Sequence, residues 1–231
     1  MDLGDHGILM DCGDGATRNF LALGYRPEWV TDIIITHTHA DHVCGLPYFI
    51  QQRYLSGTGN PLTIWCPQES VQRLSESMAF GYLFPERMPY KTTYRDLNSN
   101  KPWTSHGVAF NARLTSHLKE AARAGQELGY GNLGQCYAIR AKVGTTALLY
   151  SADVGSIDDI IKLPESVDWL LIESTHIALD RLWPWAEEQG IKRIIITHIA
   201  DDFDTSAVAQ SGKYTSAEVV LAEDNMSFEF P

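Results

Sequence analysis

Cysteine is scarce in this chain. Four thiols, Cys12, Cys44, Cys66 and Cys136, are scattered over 231 residues and no two stand at Cys-x-x-Cys spacing, which argues against both a zinc knuckle and a secreted disulfide framework. Each then reads as a small buried hydrophobe in a reducing compartment, Cys44 included although it lies two residues beyond His42. Positive charge is also short, with 18 Lys and Arg against 29 Asp and Glu and a net charge of -11. Affinity for RNA or DNA comes largely from cations that neutralise phosphates. A large nucleic acid is therefore disfavoured, whereas a small anionic substrate is not. No apolar run approaches the roughly 18 residues of a membrane helix, and no signal peptide is read at the start. The expectation is a soluble, cytoplasmic protein with no membrane partner. The sequence holds neither Gly-x-Ser-x-Gly nor Gly-x-x-x-x-Gly-Lys, which removes the serine nucleophile elbow and the phosphate loop. No repeat, linker or low-complexity tract divides it, and its 44% hydrophobic content suffices for one α/β domain over residues 1–231.

What the chain does have is histidine and carboxylate at the ends of apolar runs. The segment Asp32-Ile-Ile-Ile-Thr-His37-Thr-His39-Ala-Asp41-His42 packs three histidines and a carboxylate into six residues behind Ile33, Ile34 and Ile35. Such a β-branched run predicts a strand buried on both faces, which delivers the next residues to the rim of a sheet. If the segment stays extended, His37, His39 and Asp41 share one side and His42 points elsewhere, a layout that suits two metal ions rather than one. Imidazole and carboxylate are the ligand set of zinc and its first-row neighbours, and four such groups crowded together call for a cation.

The same design, strand and then ligand, recurs along the chain. Gly7 to Asp11 reads as a strand broken by a glycine turn, with a helix from Ala16 to Leu23 after it, and Asp11 as either a turn former or a partner that orients an imidazole. Leu46 to Leu55 and Gln68 to Met78 have helical spacing, with a strand at Leu62 to Cys66 between them. From Phe80 to Trp103 regularity fades among aromatics and prolines, which reads equally as a pocket wall or as a loop packed by its own rings. Val108 to Leu114 alternates as a half-buried strand leading to Ser116-His117. Ala121 to Gly134, with four glycines, reads as a long mobile connection and a lid. Paired strands follow at Tyr137 to Ala141 and Thr145 to Ser151, the second ending in Asp153. Asp168 to Glu173 and Lys192 to Thr197 are further buried strands, tipped by Thr175-His176 and His198. Between them lies a helix over Leu179 to Gln189, kinked or begun near Pro184, and strand-like material closes the chain from Val219 to Phe230.

His37-x-His39-x-Asp41-His42 resembles the signature of the metallo-β-lactamase superfamily. The resemblance implies an αββα four-layer sandwich, here with one or two leading strands absent before Gly7. By resemblance, one ion falls to His37, His39 and His117, a second to Asp41, His42 and His198, and Asp153 bridges them. The expected cofactors are two divalent ions, zinc first, with manganese or iron as alternatives. Asp153 in place of a cysteine points away from true β-lactamases and towards di-metal hydrolases. Two such ions lower the pKa of a shared water towards roughly 7 and so supply hydroxide at neutral pH, with Asp41 placed to aim it. Leu170-Leu-Ile-Glu173-Ser-Thr175 and Ile195-Ile-Thr197-His198 resemble ribonuclease Z and related phosphodiesterases. Ribonuclease Z, however, has a histidine where this chain has Ile172, and a long tRNA-gripping arm that this chain lacks. The expected activity is therefore hydrolysis of a small phosphodiester. Lactone or thioester hydrolysis and a non-hydrolytic, metal-bound nucleotide-binding protein are the alternatives, and a homodimer is the assembly considered. His176 reads either as the general acid for the departing alkoxide or as a cap or core residue at the next helix.

Overall fold

In the computed structural model, which describes residues 1–98, 101–163, 165–200 and 203–230, the chain divides into two compact units, Met1–Asn98 and Ser99–Pro231. The first contains β1 (Gly7–Met10), α1 (Ala16–Ala22), β2 (Val30–Ile34), α2 (Ala40–Val43), α3 (Leu46–Leu55), β3 (Leu62–Pro67), α4 (Val71–Phe80) and β4 (Thr92–Leu97). Its four strands pair in the order β1-β2-β3-β4, all parallel. Parallel strands need crossovers, and the helices between them cover the sheet. Ile33 and Ile35 join Phe20, Leu46, Phe49, Ile50, Leu62 and Ile64 in one core cluster, while Ile34 turns to the opposite face and is also fully buried. Ile33 and Ile34 thus end the doubly buried strand that their composition predicts, with the equally buried Ile35 one residue beyond it. The outer edge of β1 is not bare, because the Ile8 amide donates to the Met1 carbonyl and the terminal amine to the Ile8 carbonyl.

A fully buried Arg53 fastens this unit. Its guanidinium donates to the carbonyls of Pro27, Val30, Asn60 and Pro61 at 2.6 to 3.2 Å and lies over the Tyr90 ring, 4.9 Å from the centroid. Burial lowers its pKa, opposed by the Tyr90 phenol and Glu28. Four carbonyl dipoles replace water around a buried cation, and they tie the start of β2 to the approach of β3.

The second unit contains β5 (Trp103–Ser105), β6 (Val108–Leu114), α5 (Lys119–Glu127), β7 (Tyr137–Val143), β8 (Thr146–Tyr150), α6 (Asp158–Ile161), β9 (Trp169–Glu173), α7 (Leu179–Gln189), β10 (Arg193–Thr197), α8 (Ser206–Ala209) and β11 (Glu218–Leu221). The seven strands run in the order β11-β10-β9-β8-β7-β6-β5. Strands β5 to β8 are mutually antiparallel and β8 to β11 parallel. It follows that β6, β8, β9 and β10 all point the same way. Their C-terminal ends, and so His117, Asp153, Glu173 and His198, gather along one edge. Alternation along these strands sends Leu149, Leu170, Ile172, Ile194 and Ile196 against α6 and α7, and Leu148, Trp169 and Ile195 to the other face, where Phe230 packs.

Several expectations are corrected. The segment expected to be irregular, Phe80 to Trp103, contains the full strand β4; its Tyr90 and Tyr94 pack on the core, whereas Phe80 and Tyr82 are exposed. Of the segment expected to be a mobile connection and lid, Ala121 to Gly134, the first half lies in helix α5, Lys119–Glu127, while residues 128–134 are neither helix nor strand. Helix α7 begins at Leu179, runs through Pro184 and stops at Gly190, whose φ of 66° ends the helix. Strand β11 ends at Leu221, so residues 222–230 are not strand.

Candidate metal centre

The first group of candidate ligands grows from the ends of β1 and β2. Asp11 sits in the left-handed region at φ 60°, which turns its carboxylate back over the tip of β2. There Oδ1 accepts from the Thr36 amide at 2.7 Å, and Oδ2 accepts from the Thr36 hydroxyl at 2.9 Å and from His42 Nδ1 at 2.8 Å. The Thr36 hydroxyl proton is committed to Asp11, so Thr36 Oγ1 accepts from His37 Nδ1, 3.2 Å away. Both buried imidazoles are thereby held as the tautomer with its lone pair on Nε2, the nitrogen that can bind a cation. The rings of His37 and His39 lie 4.8 Å apart, and those of His37 and His42 4.1 Å. The loop after β1 packs directly on α2 because glycine permits it: a Cβ on Gly13 would fall 1.6 Å from the Asp41 carbonyl oxygen. One detail of the sequence reading is corrected. The chain leaves the extended conformation at His39 and α2 starts at Ala40, so Asp41 and His42 are presented by a helical turn and not by strand alternation. Cys44, expected in the core, is exposed at the end of that short turn.

The second group comes from the edge of the larger sheet. His117 Nε2 lies 3.4 Å from Asp153 Oδ2. The Asp153 carbonyl is held by the Thr115 hydroxyl at 3.0 Å and the Cys136 thiol at 3.3 Å. Glu173, 1% exposed, accepts from the amides of Val154 and His176 and from His176 Nδ1 at 2.8 Å. The His176 ring meets the His117 ring edge to face at 5.0 Å. At the tip of β10, His198 adopts φ 47°, its Nδ1 is 3.3 Å from Thr175 Oγ1, and the Ser174 hydroxyl donates to its carbonyl. Asp11, Ala152 and His198, all non-glycine residues with positive φ, each lie at or beside a candidate ligand. Costly backbone of this kind persists where the surroundings dictate it.

The donor set fits a divalent cation. In each group one imidazole–carboxylate pair stands farther apart than the usual hydrogen-bond range of about 2.7–3.2 Å, His42 Nε2 to Asp41 Oδ2 at 3.5 Å and His117 Nε2 to Asp153 Oδ2 at 3.4 Å. Zinc–ligand bonds of about 2.0–2.2 Å in a tetrahedron put neighbouring donors about 3.3–3.6 Å apart. Both pairs thus have the separation of two ligands on one ion. The sequence reading did not identify Thr36, Thr115, Ser174 and Thr175, the hydroxyls that orient the ligands. A threonine immediately before a strand-end histidine, as in Thr36-His37, was the available signal.

A four-stranded parallel sheet, a seven-stranded mixed sheet and this histidine–aspartate set define the class: a metal-dependent hydrolase of the metallo-β-lactamase fold, the αββα architecture. Within it, the chain belongs to the family described as anti-Pycsar protein Apyc1, whose model matches residues 1–218. The chain is similar to ribonuclease Z of Methanothermobacter thermautotrophicus, 27% identical over 270 residues that cover 96% of this chain and 87% of that protein. It is likewise similar to ribonuclease BN of Escherichia coli O7:K1, 27% identical over 242 residues, covering 85% and 79%. The metallo-β-lactamase fold protein YhfI from Bacillus subtilis superposes with a TM-score of 0.75 at 20% identity, over 97% of this chain and 88% of that one.

Proposed function

We propose that the protein hydrolyses a small phosphodiester at two divalent metal ions, zinc first and manganese or iron as alternatives. In this reading residues 1–231 act as one metallo-β-lactamase-fold domain. His37, His39 and His117 would hold one ion and Asp41, His42 and His198 the other, with Asp153 as the ligand they would share. Within the first unit, the His37 ring lies close to those of His39 and His42, and within the second His117 stands 3.4 Å from Asp153; both arrangements support that assignment. When bound, the ions would supply hydroxide at neutral pH and stabilise the charge that develops on the substrate oxygens. The chain's own groups do the rest. Asp41 accepts a hydrogen bond from the attacking water and aims it. His176, its Nδ1 held by the buried Glu173 carboxylate, presents Nε2 to the departing oxygen and gives it a proton.

The His176–Glu173 pair beside His117 is the observation that carries this reading against thioester hydrolysis, because an alkoxide leaves poorly without a proton while a thiolate needs none; the substrate screen separates it from lactone hydrolysis. The net charge of -11 favours a small anion over a long RNA, although two relatives are named as ribonucleases. The reading places a homodimer in the cytoplasm; among the described residues no helix is long and apolar enough to cross a membrane. The test is a hydrolysis screen on metal-quantified protein with bis-p-nitrophenyl phosphate, cyclic nucleotides, precursor tRNA, homoserine lactones and glutathione thioesters. The expected result is turnover of the small phosphodiesters. Lactone or thioester turnover faster by orders of magnitude would reverse the assignment, and inactivity of fully metallated protein on every substrate would favour the nucleotide-binding alternative.

A further inference from the structure

The sequence leaves His117 and Asp153 thirty-six positions apart, on loops that follow two different strands, β6 and β8. Their side chains nevertheless stand 3.4 Å apart, and neither loop is stiffened by secondary structure at the ligand. Besides the bond from the Thr115 hydroxyl to the Asp153 carbonyl, one carboxylate bridges the two loops. Asp159 Oδ2 accepts from the Ser116 amide at 3.0 Å, from the Ser116 hydroxyl at 2.9 Å and from the Gly155 amide at 2.8 Å. Ser116 immediately precedes His117, and Gly155 lies two residues after Asp153. The loops touch at this point, since a Cβ on Gly155 would fall 2.2 Å from Ser116 Oγ and 2.9 Å from the Ser116 carbonyl carbon. Asp159 is itself anchored: it stands in α6 between Ile157 and Ile160, which are 1% and 0% exposed within the core beneath the sheet.

We propose that Asp159 is a positioning residue, which fixes His117 and Asp153 at the separation of two ligands on one ion. Three charge-assisted bonds on one oxygen set the loops against each other before any ligand arrives. The core-bound helix prevents the carboxylate from following a displaced loop. The proposal rests on the metal reading given above. It differs from a general structural role because the neighbour Asp158, on the same short helix, faces Lys162 and Arg181 on the surface instead.

The experiment compares the full chain with Asp159→Ala, Asp159→Asn and Asp158→Ala. Zinc affinity is read by competition with a chromophoric chelator, and backbone exchange at Ser116 and Gly155 is read by hydrogen–deuterium exchange on metal-free protein. Asp159→Ala should weaken the ion that depends on His117 by about 10- to 100-fold, the cost usual for losing a group that orients metal ligands, and should speed exchange at both amides. Asp159→Asn, which keeps one acceptor oxygen, should recover part of both effects, and Asp158→Ala should show neither. Unchanged zinc affinity in a folded Asp159→Ala protein, or equal losses in Asp158→Ala, would overturn the proposal alone. Wild-type protein that takes up no zinc would overturn the metal reading and the positioning role with it.

Discussion

At the scale of single residues, the histidines are individually weak signals that become specific through what holds them. Asp11 was readable in the sequence only as a turn former or an orienting partner; its contacts with Thr36 and His42 decide for the second. His176 was readable as an acid or as a cap, and its bond to a 1%-exposed Glu173 and its contact with His117 place it among the candidate ligands. The proposed proton transfer gives a specific expectation. His176→Ala should retain metal yet lose roughly a hundred- to ten-thousand-fold in turnover of alkyl phosphodiesters. The loss should be smaller on nitrophenyl esters, whose leaving group scarcely needs a proton; equal loss on both in steady-state assays would remove His176 as the acid. The thiols offer a second check at this scale. Burial pushes Cys12 and Cys66 up to about 12 and Cys136 is buried as well, whereas Cys44 is exposed. At pH 8 a thiol-reactive disulfide should therefore modify one thiol per native chain within minutes and all four only in denaturant; two rapidly reacting thiols in native protein would contradict the burial.

At the scale of elements, the sequence was most legible where burial dictates composition. Ile33 to Ile35, Leu170 to Ile172 and Ile194 to Ile196 read as doubly buried strands because no polar side chain is tolerated on either face, and each is followed by a polar tip that carries a histidine. Legibility failed where an element is half exposed. The edge strand β4, Thr92–Leu97, carries Arg95 and Asp96 towards solvent, so its alternation was lost among neighbouring aromatics and prolines. Helix α5 was hidden by Gly125 within it and by Gly129, Gly131 and Gly134 just beyond, although Ala121, Ala122 and Ala124 favour helix and Arg123 and Glu127 pair at i,i+4. The pairing of His117 with Asp153 could not be read at all, since it depends on which strands become neighbours in the sheet. The two kinds of glycine should respond oppositely to alanine. At Gly125, inside α5, a Cβ would meet only Tyr130 Cβ at 3.8 Å, so Gly125→Ala should stabilise by about 0.5–1 kcal/mol. For a chain of this size that raises Tm by a few degrees in calorimetry. Gly13→Ala, with its Cβ 1.6 Å from the Asp41 carbonyl, should instead displace α2 and abolish metal retention; wild-type metal content in that variant would show that the loop can yield.

At the scale of the whole molecule, the acidic balance and the metal centre are linked. A chain with a net charge of -11 that sets Asp11 against His42 in one unit, and buries Asp153 and Glu173 beside His117 and His176 in the other, concentrates negative charge where burial makes it costly. A divalent cation relieves that cost only in the folded state, because the unfolded chain holds no comparable set of donors. Folding and metal binding are then coupled, and the stabilisation follows RT ln(1 + [L]/Kd), about 2.7 kcal/mol for each site at a hundredfold excess of free metal over Kd. For a chain of 150–250 residues one kcal/mol shifts Tm by about 2–4 °C, so filling one site should raise Tm by about 5–11 °C and two independent sites by about twice that. Calorimetry of chelator-treated protein, with zinc added stepwise and bound metal counted by elemental analysis, should show Tm rising up to two ions per chain. The further rise beyond two should then follow only the logarithm of free zinc. A rise that is complete at one ion would reduce the centre to a single metal, and a Tm indifferent to zinc would mean that the histidine cluster is held together without it.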